Sequence, residues 1–307
     1  MRQNLWINGE SVGTESYRQL SNPFNGEKIA DVAEAGREDV IRAIDSAAGA
    51  ARKMAEMDAH KRSDILRRVA ELIQEDREEC ARLIAEESSK PLKAARGEVD
   101  RTIMTYTFAS EEARRLHGET IPMDAAPGGE GRVAYTVREP LGVIAAITPF
   151  NFPMNLVAHK VGPAIAAGNT VVLKPASQTP LSAYKIASYF HQAGLPAGAL
   201  NLVTGSGKNV GDVLIGDDRV KMVTFTGSPE VGKYIRQNAG LKRVTLELGS
   251  NSALIVDEGT DLKKVMPRVV TGAFSNQGQV CISIQRISFT KRSLKNLYLC
   301  LLKKLAN

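Results

Sequence analysis

Cysteine is the residue type whose surroundings first indicate chemistry in this 307-residue chain. Cys281 follows the polar segment Asn276-Gln-Gly-Gln-Val, whereas Cys80 lies in a helical Glu-Glu-Cys-Ala-Arg pattern. A lone cysteine in such a helix is ordinarily a small buried apolar residue. A thiol on a polar loop can be reached by solvent and by substrates. We therefore predict that Cys281 is a reactive nucleophile and that Cys80 is packed in a core.

Two glycine-rich segments are candidates for binding a phosphate group. The first, Gly205-Ser-Gly-Lys-Asn-Val-Gly211, misses the G-x-G-x-x-G spacing by one residue. The second, Gly227-Ser-Pro-Glu-Val-Gly232, follows an apolar strand pattern, and Pro229 suits the first turn of a helix. The N–H groups at a helix start can bind an anion. The second segment is therefore the better candidate.

The elements around these residues alternate as in a parallel α/β sheet. The run Gly142-Val-Ile-Ala-Ala-Ile-Thr148 is typical of a strand that is buried on both faces. Further strands are predicted at 170–173, 200–204, 222–226 and 243–246, and helices at 181–193, 211–215 and 230–239. Such a βαβ series predicts a doubly wound sheet that binds its ligand at the carboxyl ends of the strands.

The part of the chain before Gly142 has a different pattern. Asn8-Gly9 predicts a tight β-hairpin. Apolar residues at helical spacing predict helices over 38–57 and 61–85, and Pro91 begins another that runs to about Leu116. Residues 132–137 alternate like a strand.

The distribution of charge argues against a nucleic-acid-binding protein, although the net charge is +6. Residues 262–307 contain nine Lys or Arg and no Asp or Glu, which leaves 31 basic and 34 acidic residues elsewhere. The basic excess is one segment and not a patterned face. The chain has no apolar run of about 18 residues, no signal-peptide pattern at its start and no metal-ligand motif. With only three cysteines, it is expected to be cytoplasmic and to bind neither membrane nor nucleic acid.

Four motifs at predicted strand ends occur in one characteristic order. They are Thr148-Pro-Phe-Asn-Phe-Pro153, Leu173-Lys-Pro-Ala176, Phe225-Thr-Gly-Ser228, and Glu247-Leu-Gly249 together with Gly278-Gln-Val-Cys281. Jointly they resemble the aldehyde dehydrogenase superfamily, from about Trp6 to Ile287. The resemblance implies an α/β fold of the aldehyde dehydrogenase type. A doubly wound, parallel-sheet nucleotide-binding domain would be followed by the start of a second α/β catalytic domain.

The resemblance also implies a mechanism that oxidises an aldehyde to a carboxylic acid. The Cys281 thiolate would attack the aldehyde carbon to give a thiohemiacetal. The Asn151 side chain and the Cys281 N–H would bind the oxyanion. After hydride transfer to NAD(P), Glu247 would activate the water that hydrolyses the thioester, and thiol activation by Glu247 is an alternative. Without the match at Cys281, a surface carboxylate would be the better interpretation of Glu247.

The cofactor implied by the resemblance is NAD or NADP. Lys174 would contact the adenosine ribose and Ser228 a phosphate, although an exposed strand end is an alternative interpretation of Lys174. The further cofactor-binding candidates are Phe150, Ser177, Thr226, Gly227 and Gly232. In many NAD-preferring relatives the position of Ser177 is acidic. A hydroxyl there removes the charge that would repel a 2′-phosphate, so we expect NADP to be accepted.

Asn151, Asn155 and His159 are spaced i, i+4, i+8. If a helix that begins at Pro153 extends back to Asn151, the three side chains share one face near the aldehyde channel. Polar residues there favour a small polar or hydroxylated aldehyde, with a semialdehyde as second choice. The alternative is that His159 only caps or packs.

The domains expected from the resemblance are an NAD(P)-binding domain over 1–117 and 139–248, an oligomerisation-type hairpin over 118–138, and an incomplete catalytic domain over 249–307. Family chains continue for roughly another half of this length, and the tail after Ile287 is basic and no longer resembles the family. We therefore expect a truncated or frameshifted product, which puts the family's homo-oligomeric state in doubt. Apolar residues of the last domain, including Val269, Val270 and Ile282, are expected to be exposed.

Two other functions remain open. The chain could be a catalytically impaired remnant that at most binds nucleotide. It could also be a CoA-acylating semialdehyde dehydrogenase, but that subgroup does not depend on a base such as Glu247. The motif Glu247-Leu-Gly-Ser250 departs from the commoner Glu-Leu-Gly-Gly.

Overall fold

A seven-stranded sheet organises the larger of two units in the computed structural model, which describes residues 2–290 and 301–303. The larger unit takes residues up to 226 and 234–246, and the smaller takes 227–233 and the residues from 247 onward. The domain boundaries expected from the resemblance remain predictions.

The first part of the chain contains short strands and then four helices. In chain order they are β1 (Arg2–Gln3), β2 (Leu5–Ile7), β3 (Glu10–Val12), β4 (Ser16–Ser21), β5 (Lys28–Glu34), α1 (Arg37–Ala55), α2 (Ala59–Glu75), α3 (Arg77–Ser88) and α4 (Leu92–Ala113). The short strands β6 (Thr120–Ile121) and β7 (Ala134–Tyr135) follow, with a 3₁₀ turn at Met123–Ala125 between them.

The second part alternates strands and helices, as the sequence predicts. In chain order they are β8 (Val143–Ile147), α5 (Asn155–Ala166), β9 (Thr170–Lys174), α6 (Leu181–Gln192), β10 (Leu200–Leu202), a π turn at Gly207–Gly211, α7 (Asp212–Gly216), β11 (Val220–Gly227), α8 (Pro229–Asn238) and β12 (Arg243–Leu248). The last elements are β13 (Ser252–Val256), α9 (Leu262–Phe274), a 3₁₀ turn at Ser275–Gly278 and β14 (Ile284–Phe289).

The main sheet has the strand order β12-β11-β8-β9-β10-β2-β3. Its centre is parallel, because β8 pairs in parallel with β9 and β11, and β9 with β10. The β2–β3 hairpin adds two antiparallel strands at one edge. All residues of β8 and β9 are buried, as expected for strands covered on both faces. The predicted doubly wound α/β fold is confirmed.

Alternate side chains of β8 point to two different layers. Ile144 and Ala146 pack in the large core cluster that includes residues from α2 to α6. Ala145, between them, is equally buried and points to the opposite face, where α1 contacts β8, β9 and β10. The sheet is therefore covered by helices on both sides.

The predicted helix over 61–85 is two helices. The break lies at Asp76, whose backbone leaves the helical region with φ −95° and ψ 20°. The Asp76 carboxylate accepts a hydrogen bond from the Tyr189 hydroxyl at 2.8 Å and pairs with Lys185 at 3.1 Å. These partners belong to α6, so the break follows from tertiary contacts and not from a local helix-breaking residue.

The turn between β2 and β3 has the geometry that its sequence predicts. Asn8 and Gly9 both have positive φ, at 57° and 78°. A two-residue turn with positive φ at both positions matches the twist of the strands on either side of it. The strand predicted at 132–137 is shorter, since only Ala134 and Tyr135 pair, with Ile121 and Thr120. The oligomerising role of 118–138 stays a prediction.

The smaller unit contains a parallel pair of strands, β13 and β14, beside α9. Its core is small and consists of Val256, Met266 and Val269 with partly buried neighbours that include Val270. The expectation that Val269 is exposed is therefore wrong, because this side chain faces the strand pair and is 2% exposed. Ile282 is exposed, as expected. Cys300 and most of the basic tail lie outside the described residues.

Within the described residues, no helix is long and apolar enough to cross a membrane. The same part of the chain contains no group of three or more His, Cys, Asp or Glu side chains that could hold a metal ion.

Candidate active site

The loop after β8, residues 148–154, carries two of the predicted site residues and is called the β8 loop below. Phe150 is 38% exposed, and Asn151 is half-buried. The Phe152 ring lies under two cations, with Lys90 Nζ at 4.1 Å and the Arg101 guanidinium at 4.8 Å from its centroid. The loop therefore presents an aromatic side chain and an amide at the carboxyl end of a buried central strand.

The expected shared face of Asn151, Asn155 and His159 is only partly present. Helix α5 begins at Asn155, and Asn151 lies in the preceding loop, so it does not continue the helical row. The helix begins there because the N–H groups of Met154 and Asn155 donate to a buried carboxylate, Glu98.

A polar row does join α4 to α5. Asn155 Nδ2 lies 3.3 Å from His159 Nε2, and the Thr105 hydroxyl donates to Asn155 Oδ1 at 3.2 Å. Asn155 is buried, whereas His159 is exposed. Thr105 was not identified from the sequence, because nothing local distinguishes it from any other polar residue on a helix.

A cavity of about 700 Å³ in the larger unit is lined by His159 and Lys160 from α5. Three arginines also line it: Arg62, Arg138 and Arg243. Among the described residues around this cavity, Glu139 is the only carboxylate. Leu141, Asn169 and Arg243 in its lining precede or begin strands of the main sheet, so this cavity lies at the amino ends of the strands and not at the loops that follow β8 and β9.

The loop after β9, residues 174–180, is called the β9 loop below. Lys174 at its start is 8% exposed, so the alternative of an exposed strand end is wrong. Burial lowers the pKa of the Lys174 ammonium to about 8. Ser177 is half-buried, its hydroxyl donates to the Gly205 carbonyl at 3.4 Å, and its own carbonyl accepts from Arg18.

The start of α8 has the features of an anion-binding helix end. The Ser228 hydroxyl accepts the N–H of Val231 at 3.3 Å. The Glu230 carboxylate also lies in this first turn, and its pKa is lowered by its own backbone N–H and by the Ser228 hydroxyl. A Cβ on Gly232 would lie 2.5 Å from Leu248 Cδ2, so a larger residue here would require the Leu248 side chain to move. Thr226, in the larger unit, is buried at the end of β11.

Cys281 and Glu247 both belong to the smaller unit and are both exposed. The Ser250 hydroxyl donates to the carbonyl oxygen of Cys281. The residue that departs from the family pattern therefore contacts the backbone of the candidate nucleophile, a contact that the sequence did not predict. Before Cys281, Asn276 and Gln277 have positive φ of 49° and 56°, which is unusual for residues other than glycine.

The candidate cofactor residues fit parts of a dinucleotide, each considered by itself. Lys174 is a buried ammonium that can donate to ribose hydroxyls. The N–H groups at the start of α8 suit a phosphate, as they suit the Glu230 carboxylate of the same turn. Ser177 is uncharged and can donate to a phosphate.

Comparison with known proteins agrees with these motifs. The aldehyde dehydrogenase family model matches residues 6–307. A 3-sulfolactaldehyde dehydrogenase of Priestia megaterium is 46% identical over 283 residues, which cover 92% of this chain and 59% of that protein. The NADP⁺-dependent succinate-semialdehyde dehydrogenase of Escherichia coli is 39% identical over 93% of this chain and 59% of its own length.

Solved structures share the fold as well. The NADP-dependent glyceraldehyde-3-phosphate dehydrogenase from Bacillus halodurans, complexed with NADP, matches with a TM-score of 0.96 and 38% identity. The match covers 99% of this chain and 64% of that chain. The chain thus spans about three-fifths of the length of these relatives. Because the family model matches nearly all of its residues, the chain belongs to the aldehyde dehydrogenase family.

Proposed function

We propose that this chain serves the NAD(P)-dependent oxidation of a small, polar aldehyde to a carboxylic acid. The observation that carries the substrate class is the polar row formed by Thr105, Asn155 and His159. The CoA-acylating alternative is not favoured, since that subgroup does not depend on a base such as Glu247.

The residues act in two steps. The Cys281 thiolate adds to the aldehyde carbon, and the Asn151 amide and Cys281 N–H donate to the oxygen that becomes negative. The exposed position of Cys281 supports its role as nucleophile. NAD(P)⁺, when bound, supplies the hydride acceptor. Glu247 then takes a proton from the water that hydrolyses the Cys281 thioester.

The substrate class follows from polarity. A polar group at the far end of a short aldehyde would find hydrogen-bond partners on Asn155 and His159, whereas an alkyl chain would leave these polar groups without a partner in the substrate. The relatives from Priestia and Escherichia coli are named for aldehydes that carry a sulfonate and a carboxylate. A hydroxylated or semialdehyde substrate of this size fits the same row.

The cofactor is NAD or NADP, with NADP accepted. Lys174 would hold the adenosine ribose, and the start of α8 with Ser228 would hold the phosphates. Support comes from the buried ammonium of Lys174 and from the relatives that use NADP.

A single-turnover experiment tests this function. Purified protein with NADP⁺ is mixed with 3-sulfolactaldehyde, succinate semialdehyde, lactaldehyde or hexanal, and both NADPH formation and acylation of Cys281 are measured by absorbance and mass spectrometry. The three polar aldehydes should react faster than hexanal, and Cys281→Ser should abolish acylation because a neutral hydroxyl is a far weaker nucleophile than a thiolate. Faster reaction with hexanal would refute the polar substrate class.

A further inference from the structure

One helical hairpin, which belongs to neither loop, anchors both the β8 loop and the β9 loop. It consists of α3, α4 and the turn between them, where Ser89 adopts a left-handed conformation with φ of 56°. Three of its charged side chains are almost completely buried: Glu87, Lys90 and Glu98. Burial of a charge is costly unless the charge is paired and hydrogen-bonded. The partners of these three groups therefore show what the hairpin does.

The β8 loop is held by Glu98 and Lys90. Glu98 Oε1 accepts the N–H of Met154 at 3.0 Å and that of Asn155 at 3.2 Å, and Glu98 Oε2 pairs with Lys90. Lys90 Nζ also donates to the backbone carbonyl of Asn151 at 2.8 Å. The candidate oxyanion donor is thus fixed at its own carbonyl and at the N–H groups a few residues later.

The β9 loop is held in the same way by Glu87. Its carboxylate accepts the N–H of Leu181 at 2.7 Å and that of Ser182 at 3.0 Å, together with the Ser182 hydroxyl. Lys174 and Ser177 therefore lie in a loop whose end is fixed at the start of α6.

Both crossover helices lack a capping side chain of their own. Neither α5 nor α6 has an N-cap residue whose side chain accepts a hydrogen bond. The first N–H groups of a helix need acceptors. Here those acceptors come from a segment that is remote in sequence, so the place where each loop ends is set by the hairpin.

We infer that the α3–α4 hairpin is a positioning device for the candidate active site. Glu98 and Lys90 are positioning residues for Asn151 in the β8 loop, and Glu87 is the positioning residue for the β9 loop. The functional part of this inference rests on the proposed function, whereas the anchoring of the loops does not.

Hydrogen–deuterium exchange of the full 307-residue chain tests the anchoring. Glu87→Met removes the acceptor at similar volume, and should raise amide exchange of the segment 179–184 at least tenfold while 152–157 changes less than twofold. The double variant Lys90→Met/Glu98→Met removes both charges together, so no uncompensated charge is left buried. This double variant should raise amide exchange of 152–157 at least tenfold while 179–184 changes less than twofold.

Conservative variants separate positioning from general destabilisation. Glu87→Gln and Lys90→Met/Glu98→Gln keep an amide oxygen as acceptor and should restore protection of the respective segment. NADPH affinity, followed by fluorescence, should fall at least fivefold in Glu87→Met and recover in Glu87→Gln. Equal loosening of both segments, or of neither, would overturn the inference. A wild-type chain that binds no NADPH would count against the proposed function, and the exchange pattern would still decide the anchoring.

Discussion

At the scale of single residues, the two described cysteines differ in exposure and surroundings, which govern how readily a reagent reaches each thiol. Cys80 is completely buried, and its Sγ lies 3.2 Å from the Tyr189 hydroxyl. Burial raises the pKa of the Cys80 thiol, which lowers the fraction of thiolate. Cys281 is exposed on a loop.

Iodoacetamide at neutral pH should therefore label Cys281 well before Cys80. Labelling is followed by peptide mass spectrometry in a Cys300→Ser background, so that the third cysteine does not contribute. Cys281→Ser serves as the control and should leave only slow labelling of Cys80. Preferential labelling of Cys80 would contradict the assignment of the nucleophile.

The uncharged side chain of Ser177 predicts the choice of cofactor. Without a carboxylate at this position, nothing in the side chain repels a 2′-phosphate, so NADP⁺ should bind at least as tightly as NAD⁺. Ser177→Glu should weaken NADP⁺ binding by tenfold or more and leave NAD⁺ within a few fold. Isothermal titration of both cofactors measures this, with Ser177→Ala as the uncharged control. A hundredfold preference of the unmodified chain for NAD⁺ would refute it.

At the scale of elements, the cap of α6 depends on an acid that is completely buried. Burial raises the pKa of Glu87 to about 7, against the lowering effects of Ser182 and of the backbone N–H groups of Leu181 and Ser182. The ordinary value of 4.5 applies to the unfolded chain. The folded state therefore holds this proton more tightly than the unfolded state does.

Because the pKa of Glu87 is higher in the folded chain than in the unfolded chain, the stability of the fold decreases as the pH rises. The stabilisation that Glu87 contributes is fully present below about pH 4.5 and is lost as the pH rises through about 7. The change amounts to about 3 kcal/mol in the free energy of unfolding. Glu87→Gln stays neutral and should flatten this dependence between pH 5 and 8. Urea denaturation across that range measures it, with the exposed neighbour change Glu86→Gln as control. Parallel curves for the wild type and Glu87→Gln would show that Glu87 does not titrate in this range.

Local pattern predicted the elements far better than it predicted their junctions. The apolar run of β8 and the Asn8-Gly9 turn are decided by neighbouring residues, and both predictions are confirmed. The break at Asp76 is decided by a contact with Tyr189, more than a hundred residues later. The start of α5 is likewise decided by Glu98, so helical spacing alone wrongly extended that row to Asn151.

The candidate site also combines features that are decided by neighbouring residues with features that are decided by distant contacts. Motif order predicted the fold and the family, because strand-end loops carry their signature locally. It could not identify Glu87, Lys90 or Glu98, since a charged residue in a helical pattern looks identical whether it is solvated or buried. The contact between Ser250 and Cys281 also became visible only in the structure.

At the scale of the whole molecule, the two units differ in how much core supports them. The larger unit has an extensive core, whereas the smaller packs around Val256, Met266 and Val269 and exposes large apolar side chains such as Ile255 and Ile282. Thiol addition requires atoms to be held near contact distance, and a misplacement of about 1 Å can cost about 100-fold in rate.

The 307-residue polypeptide assayed alone should therefore bind nucleotide but turn over aldehyde more slowly than about 1 s⁻¹, an ordinary rate for an enzyme. Steady-state assays with NAD⁺ and NADP⁺ across the aldehyde panel measure turnover, and NADPH fluorescence measures binding. Cys281→Ser controls for turnover that does not use this thiol. Turnover at 1 s⁻¹ or faster would show that the smaller unit is ordered well enough for catalysis.

The hairpin that anchors both loops also has a consequence for the order of folding. Glu98 finds its N–H donors 56 residues later in the chain, and Glu87 finds its donors 94 residues later. On a ribosome the hairpin emerges first, with Lys90 as a partner for Glu98. Its carboxylates must stay partly hydrated until α5 and α6 have been synthesised, because burying them without their N–H donors is costly. The α3–α4 pair cannot finish packing as an early intermediate. Its completion and the ordering of both loops become one late, cooperative event.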